Sequence, residues 1–395
     1  MTIVNDTVTA ETSREMRGWE KLLLGVRLQD ASSLLPGLFV AVLLAWLSIW
    51  LSDFIGLRLM GMDKSPVSAG MMAILLGLIV NNVVALPSLL NPGITFAVKK
   101  VLRLGIILLG IRLSVFDVFE LGALGVPLVI VCIASALVFT SLLNRWLGLP
   151  HRLGTLIAVG TSICGVSAIV ATGPAIDAEE EEVTYAVAVI TVFGMVATLL
   201  YPYLAHGLFA GDPTRAGLFL GTAVHDTSQV TGAALVFAET FSLPRALDVA
   251  TVTKLVRNVF MVAVIPLMTL LHTRQRARNH EVAEKRIRLM SLLPLFVIGF
   301  LLFAVFRSLG DAGISSGGTA FGLLSNHAWS GFYASVKEWA VRFLVVALAG
   351  VGLNTSLDVL KGLGIKPFLV GLGAAVTVGV VSFGAITATA ALFTF

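Results

Sequence analysis

Eleven apolar stretches of 18 residues or more run through this chain, at about 36–53, 66–90, 98–115, 123–143, 154–174, 183–204, 215–237, 248–271, 290–308, 338–356 and 367–391. A helix needs about 20 such residues to cross a bilayer core. Hydrocarbon offers no hydrogen-bond partners, so each segment must satisfy its own backbone, which a helix does. The expected fold is therefore an all-α polytopic membrane protein of about eleven transmembrane helices. Composition agrees: 57% of the 395 residues are hydrophobic and only 13% are charged, against about 25% charged in a soluble domain. The net charge of +4 is spread over short loops, which is no signature of a nucleic-acid partner. Cys132 and Cys164 both fall inside apolar stretches. Two cysteines without metal-type spacing imply neither a disulfide framework nor a zinc site.

The chain divides into three parts. Residues 1–12 are polar and are expected to be disordered. Residues 13–32 mix Trp19, Leu22, Leu23, Leu24, Val26 and Leu28 with Arg14, Arg17, Lys21 and Arg27. That pattern reads as a basic amphipathic helix lying on the bilayer surface, and no cleavage-type signal peptide is present. Residues 33–395 form the membrane domain. Lys and Arg are expected on the cytoplasmic side. Placing the basic loop 272–289 there and alternating through eleven spans puts 18 Lys and Arg residues inside and 6 outside. The N-terminus is then cytoplasmic and the C-terminus outside, in a bacterial inner (cell) membrane. The same alternation puts the acidic run Glu179 to Glu182 outside, as a solvated turn with helix N-terminal charges.

Two of the stretches have unusual centres. GTLIAVGTSICGVSAIVATGP at 154–174 and GLFLGTAVHDTSQVTGAALVF at 217–237 carry Gly, Thr and Ser where a plain anchor carries Leu and Ile. At an offset of 61, Gly160, Thr161 and Ser167 fall on Gly221, Thr222 and Ser228. Polar, glycine-bearing centres free backbone groups, which is tolerated at membrane depth only where protein or a water-filled cavity covers them. Two such segments are how the broken helices of a transport site look in sequence. Close helix packing also enriches small residues and is the competing explanation. A second repeat, at an offset of 240, pairs Leu104, Leu108, Gly110, Leu113, Gly122 and Pro127 with Leu344, Leu348, Gly350, Leu353, Gly362 and Pro367. Those pieces end the third and tenth spans, which run oppositely, so they indicate an inverted repeat. The 61 and 240 offsets fit one symmetry operation only if one of the polar-centred segments is re-entrant.

Ionisable groups within spans cost roughly 2.5–3.5 kcal/mol on insertion scales and are candidates for function. The seventh span offers His225, Asp226, Thr227, Ser228 and Gln229, and the eighth offers Lys254, Arg257 and Asn258. Lys254 and Arg257 are three apart and share a helix face. They could supply positive charge to a small anionic substrate, Arg257 by bidentate contact with an oxyanion. Around Cys164, Gly165 and Ser167 a half-helix N-terminus would add backbone N–H groups, and Thr161, Ser162 and Ser167 would add hydroxyls. A purely structural alternative pairs Lys254 or Arg257 with Asp226. His225 is either a proton relay, given an unperturbed pKa of roughly 6.5, or a hydrogen-bonded packing residue. Asn354, Thr355 and Ser356 close the tenth span as caps or as pocket lining. No metal site and no Ser-His-Asp triad follow from the HDTS string, since neighbours on a helix face different ways.

The segments GTSICGVSAIVATGPAI at 160–176, VAVITVFG at 187–194, GTAVHDTSQVTGAA at 221–234 and KLVRN at 254–258 resemble those of the YeiH family, a family of proposed sulfate exporters. The resemblance covers nearly all of the chain beyond the amphipathic N-terminus. It implies kinship with bile-acid and sodium/proton-antiporter-like carriers, which have inverted repeats and crossed, broken helices. A dimer with a mobile core domain against a scaffold is implied as well. The pieces LGIRLSVFDV and GVGLNTSLDV also look like helices of those antiporters. Those antiporters place paired carboxylates after the crossing helix, whereas Glu179 to Glu182 of this chain fall in the expected outer loop. The expected function is secondary transport of a small anion, such as sulfate or an organosulfonate, by alternating access. The alternative is a cation/proton antiporter with Asp226 as ion carboxylate. No enzyme chemistry is indicated, no GxxxxGK[ST] segment supplies ATP drive, and no cofactor is implied beyond a coupling H+ or Na+.

Overall fold

The computed structural model describes residues 28–59, 68–277, 295–356 and 364–392. The expected disordered segment 1–12, residues 13–27 of the expected amphipathic helix 13–32 and the basic loop beyond residue 277 lie outside the described residues, and Leu28–Leu34 form a 3-10 helix. Apart from one two-stranded hairpin, β1 (Thr319–Ala320) with β2 (Leu324–Ser325), the regular structure is helical. The helices are α1 (Leu35–Asp53), α2 (Ala69–Val83), α3 (Asn91–Phe96), α4 (Leu102–Leu109), α5 (Val115–Leu147), α6 (His151–Ser162), α7 (Val166–Thr172) and α8 (Glu180–Leu208). They continue as α9 (Pro213–Ala223), α10 (Thr227–Thr240), α11 (Arg245–Val259), α12 (Met261–Ala277), α13 (Leu295–Gly317), α14 (Asn326–Leu353) and α15 (Ile365–Leu392). Among the described residues six helical segments are long and apolar enough to cross a membrane: Asp30–Asp53, Val115–Leu147, Glu180–Leu208, Arg245–His272, Leu295–Gly317 and Ile365–Thr389. The protein is a multi-pass, all-α membrane protein.

Two of the eleven apolar stretches do not cross. The stretch 154–174 is a hairpin of α6 and α7, broken at 163–165. Gly160 on α6 faces Ile169 on α7, so α7 folds back along α6. Arg152, opening α6, forms an ion pair of 3.6 Å with Glu179 just before α8. Both arms therefore end at one face of the protein. The stretch 215–237 is a second hairpin, α9 and α10, broken at 224–226. α10 lies parallel to α8: Gln229 Nε2 donates to the Thr191 carbonyl at 3.1 Å and, further along, the His206 ring stacks on Phe241 at 3.8 Å. So α10 returns to the end of α8 from which α9 set out. At about 1.5 Å per residue, the 29 residues of α8 span some 43 Å and connect the two faces. The 12 residues of α6 and the 11 of α9 reach roughly 18 and 16 Å, about half of a hydrocarbon core.

This corrects two expectations. The span count of eleven falls, because each hairpin supplies about twenty apolar residues while returning to its own face. Glu179 to Glu182 lie with Arg152 instead of across the membrane from it, capping the N-terminus of α8 through Glu179 and Glu182. The offset of 61 relates α6–α7 to α9–α10, which enter from opposite faces and are inverted with respect to each other. The offset of 240 relates α4 to α14, which are antiparallel: Gly105 meets Leu344 and Ala340, while Gly350 meets Ala97 and Val98. Both repeats then relate elements that run in opposite directions.

Next to the hairpins, α2 and α14 cross with Gly77 and Gly352 at the contact. A Cβ on Gly77 would lie 2.5 Å from the Ala349 carbonyl oxygen, so this crossing admits no side chain. Directly below it, Asn81 and Asn82 donate to the Thr355 carbonyl at 2.9 and 3.0 Å, fixing where α14 ends. Lys99, Lys100 and Arg103 stand at the start of the apolar stretch 98–115. Pro92 sits in the first turn of α3, where its missing N–H is harmless. The helix thus starts earlier, and the three cations lie within α4 and the π-helical turn Ala97–Val101 that joins α3 to it.

Single cysteines test the hairpins directly, because native Cys132 and Cys164 are buried. Cysteines at His151 and Glu180 should react with an impermeant maleimide from one side of the membrane, and those at Ala210 and Arg245 from the other. Labelling of positions 151 and 180 from opposite sides would restore the eleven-crossing arrangement.

Candidate functional site

The two helix breaks meet. Residues 163–165 leave the helix because Ile163 adopts φ −121°, ψ −97° and Gly165 adopts φ +69°, which L side chains rarely reach. A Cβ on Gly165 would also lie 3.0 Å from Asp226 Oδ2. Position 165 is therefore closed to a side chain twice over, by its own torsion and by the second break. On that side Asp226 is extended and caps α10: its Oδ1 accepts from Ser228 N at 2.8 Å and from Ser228 Oγ at 2.6 Å. Gln229 closes the capping box, its Oε1 accepting from Asp226 N at 3.3 Å.

A broken helix leaves orphan carbonyls where its first half stops. Here α6 and α9 both stop at the centre, and Lys254 and Arg257 on α11 satisfy them. α11 runs beside α9, with Gly221 packed on Thr253 and Ala250, so the next turns of α11 reach the end of α9. Lys254 Nζ donates to the Ile163 carbonyl at 2.8 Å, to that of Val224 at 3.3 Å and to that of His225. Arg257 donates through Nε to Ser162 O at 2.8 Å, through Nη1 to Thr222 O at 2.5 Å and Val224 O at 3.2 Å, and through Nη2 to Thr161 O. Three acceptors surround Nζ, matching the three N–H groups of an ammonium. Lys254 is 1% exposed and Arg257 0%. Neither makes its hydrogen bonds to Asp226 among the described residues.

The opposite ends, the N-termini of α7 and α10, open on a cavity of about 190 Å³. Of the predicted residues it is lined by Ser167, Asp226, Thr227, Ser228 and Gln229. Asn354 and Thr355, read as caps or lining, also face it, and Asn354 is in addition the helix-ending residue of α14. Thr191 completes the polar wall, and Lys99 and Arg103 supply two cations. Arg103 lies 5.8 Å from the Phe296 ring centroid, which orients the guanidinium without consuming its donors. Both cations went unrecognised in sequence because they stood at the rim of an apolar stretch; Pro92 was the available signal that the helix begins before them.

The remaining predicted residues surround the crossing without lining the cavity. Thr161 and Ser162 act through their carbonyls. The Ser162 hydroxyl bonds Val159 O at 3.1 Å, and Thr161 Oγ1 is buried without a partner among the described residues. Cys164 packs its sulfur 3.6 Å from Met261 Sδ. His225 is 1% exposed, with Nδ1 unpartnered and its ring hydrogen-bonded to the Thr161 backbone. Asn258 donates to Thr227 Oγ1 at 3.2 Å, linking α11 to the cavity wall. No cluster of three or more His, Cys, Asp or Glu suited to a metal occurs among the described residues.

Inverted half-helix hairpins meeting at mid-protein, within a bundle of apolar helices, define a polytopic membrane protein with a discontinuous-helix centre. Residues 36–371 match the family described as conserved hypothetical protein 698, and the chain belongs to that family. A UPF0324 membrane protein of Streptococcus pyogenes is 35% identical over 338 residues, 85% of this chain and 92% of the relative. Another from Streptococcus pneumoniae is 33% identical over 322 residues, 81% and 87% of the two chains. A third, from Streptococcus agalactiae, is 31% identical over 347 residues, 88% and 94%.

Because Gly165 is constrained by torsion and by Asp226 together, Gly165→Ala should destabilise the protein by about 1–3 kcal/mol. The melting temperature in detergent should fall, more than for Gly317→Ala, where a Cβ meets nothing within 4 Å.

Proposed function

We propose that this protein is a secondary carrier for a small oxyanion, working by alternating access, and not an enzyme. One observation carries the reading: Lys99 and Arg103 line the same cavity as the N-terminus of α10, Ser167 and Thr227. A half-helix N-terminus carries roughly half a positive charge; Asp226 takes the Ser228 N–H at that end, and the two full charges of Lys99 and Arg103 on the same cavity favour an anion with several acceptor oxygens. Arg103 provides the fork suited to such an anion, and Lys99 a mobile point charge. The volume of about 190 Å³ suits a sulfate- or sulfonate-sized solute. The candidate anion contacts thus move from Arg257 and Lys254, which hold carbonyls, to Arg103 and Lys99. Kinship with sulfate exporters and with bile-acid and antiporter-like carriers belongs to the same proposal.

The 18-to-6 bias becomes 14 to 7 once Arg215 joins Arg245 at the far end of α8 and Lys99, Lys100 and Arg103 are counted within helix. It still supports a cytoplasmic N-terminus, an external C-terminus and residence in the bacterial cell membrane. A homodimer is proposed with it, and nucleic acid is not a proposed partner.

A second reading, cation/proton exchange at Asp226, has one observation in its favour: the carboxylate lines the cavity. It is weakened by Asp226 Oδ1 being committed to Ser228.

Purified protein in detergent should be stabilised against heat by sulfate or a small organosulfonate and not by choline or potassium counter-ions alone. Arg103→Ala should lose that stabilisation and cut sulfate uptake into proteoliposomes roughly tenfold or more, the loss of one charged hydrogen-bonding group being worth about 1.5–3 kcal/mol. Unchanged uptake by Arg103→Ala, with sulfate still stabilising, would move the anion elsewhere. A Na+- or K+-dependent pH change abolished by Asp226→Asn would favour the second reading.

A further inference from the structure

Carriers built on broken helices use the two kinds of half-helix end differently. N-terminal ends face anionic groups, while C-terminal ends and unwound carbonyls ligate coupling cations such as Na+. In this protein the N-terminal ends of α7 and α10 face the cavity. The C-terminal ends of α6 and α9 face Lys254 and Arg257, which together take the carbonyls of Thr161, Ser162, Ile163, Thr222, Val224 and His225. These are the oxygens a bare cation would need. Six carbonyls from both breaks, gathered around two nitrogenous cations that are 1% and 0% exposed, leave no vacancy for a hydrated or dehydrated metal ion. Lys254 and Arg257 also tie both hairpins to α11, as a bound ion would tie them to one another.

Charge counting agrees. Each helix C-terminus is equivalent to roughly half a negative charge, so the two together supply about one. The ammonium and the guanidinium supply two positive charges. The carbonyl ends are therefore met by more than their own charge with no added cation, and Lys99 and Arg103 face the cavity beside Asp226.

We propose that Lys254 and Arg257 are covalently tethered replacements for coupling cations, so that the centre is assembled permanently and the protein neither binds nor requires Na+. The transport half of this inference rests on the carrier reading above; the binding half concerns the folded protein alone. Both residues are positioning residues: they hold the two breaks in register and touch no solute.

The test uses the full chain and separates the two halves. Wild-type protein is melted in detergent in sodium chloride and in choline chloride at equal ionic strength, and Lys254→Ala is melted in the same salts and in methylammonium chloride. The wild type should melt at the same temperature in sodium and choline. Lys254→Ala should melt several degrees lower in choline, and should recover at least half of that loss in sodium or methylammonium, which can enter the vacated carbonyl cage. A merely structural lysine would give the loss without the recovery, so a variant equally unstable in all three salts overturns the proposal. Should Lys254→Ala not fold, the wild type decides: a sodium-specific rise in its melting temperature overturns the proposal, and its absence, together with equal sulfate uptake in sodium and choline, supports it. Failure of the anion reading is recognised separately, because sulfate would then not stabilise the wild type while the cation rescue of Lys254→Ala persisted.

Discussion

Everything at the centre of this protein depends on two buried cations bonded to helix carbonyls. Breaking a helix at membrane depth exposes groups that lipid cannot satisfy, each costing several kcal/mol. Placing Lys254 and Arg257 in the same interior would be costly on its own. The two liabilities cancel because one set supplies acceptors and the other supplies donors. Six carbonyls from two hairpins converge on one face of α11. Neither hairpin could hold its break without that helix.

From this constraint the rest of the site follows. Once the C-terminal halves are tied to α11, the N-terminal halves must point the other way, into the space bounded by α4, α8, α13 and the end of α14. Asp226 and Gln229 fix the angle at which α10 leaves the break, and Gly165 lets the other break approach within contact of it. The same chain that hides two cations behind the crossing presents two others, Lys99 and Arg103, in front of it. Cations buried behind the crossing and cations facing the cavity are thus separated by a few residues of unwound backbone.

Much of this was legible in the sequence, and the failures have physical causes. Gly, Thr and Ser at the centres of 154–174 and 217–237 correctly marked interrupted helices, because only interrupted backbone makes such residues useful at depth. Hydropathy then misjudged both as crossings. It measures apolar length, and a hairpin of two half-helices has as much apolar length as one full helix. The clue lay in charge instead: Arg152 and Glu179 sit at opposite ends of the first stretch and pair in the fold. The disagreement between the 61 and 240 offsets was a second clue, because the parallel pair it implied becomes an inverted pair once both segments are re-entrant. Lys254 and Arg257 stood out as buried cations, but nothing in sequence says which acceptors a cation will find. Backbone carbonyls are present everywhere and leave no mark in the residue pattern.

Each hairpin inserts from its own face to about mid-depth, so the two breaks and the cations behind them lie inside the electric field of an energised membrane, where an elementary charge moved through the full drop exchanges about 2.3 kcal/mol per 100 mV. Lys254 and Arg257 are fixed there to backbone carbonyls, so voltage acts on two charges that the fold does not leave free to move.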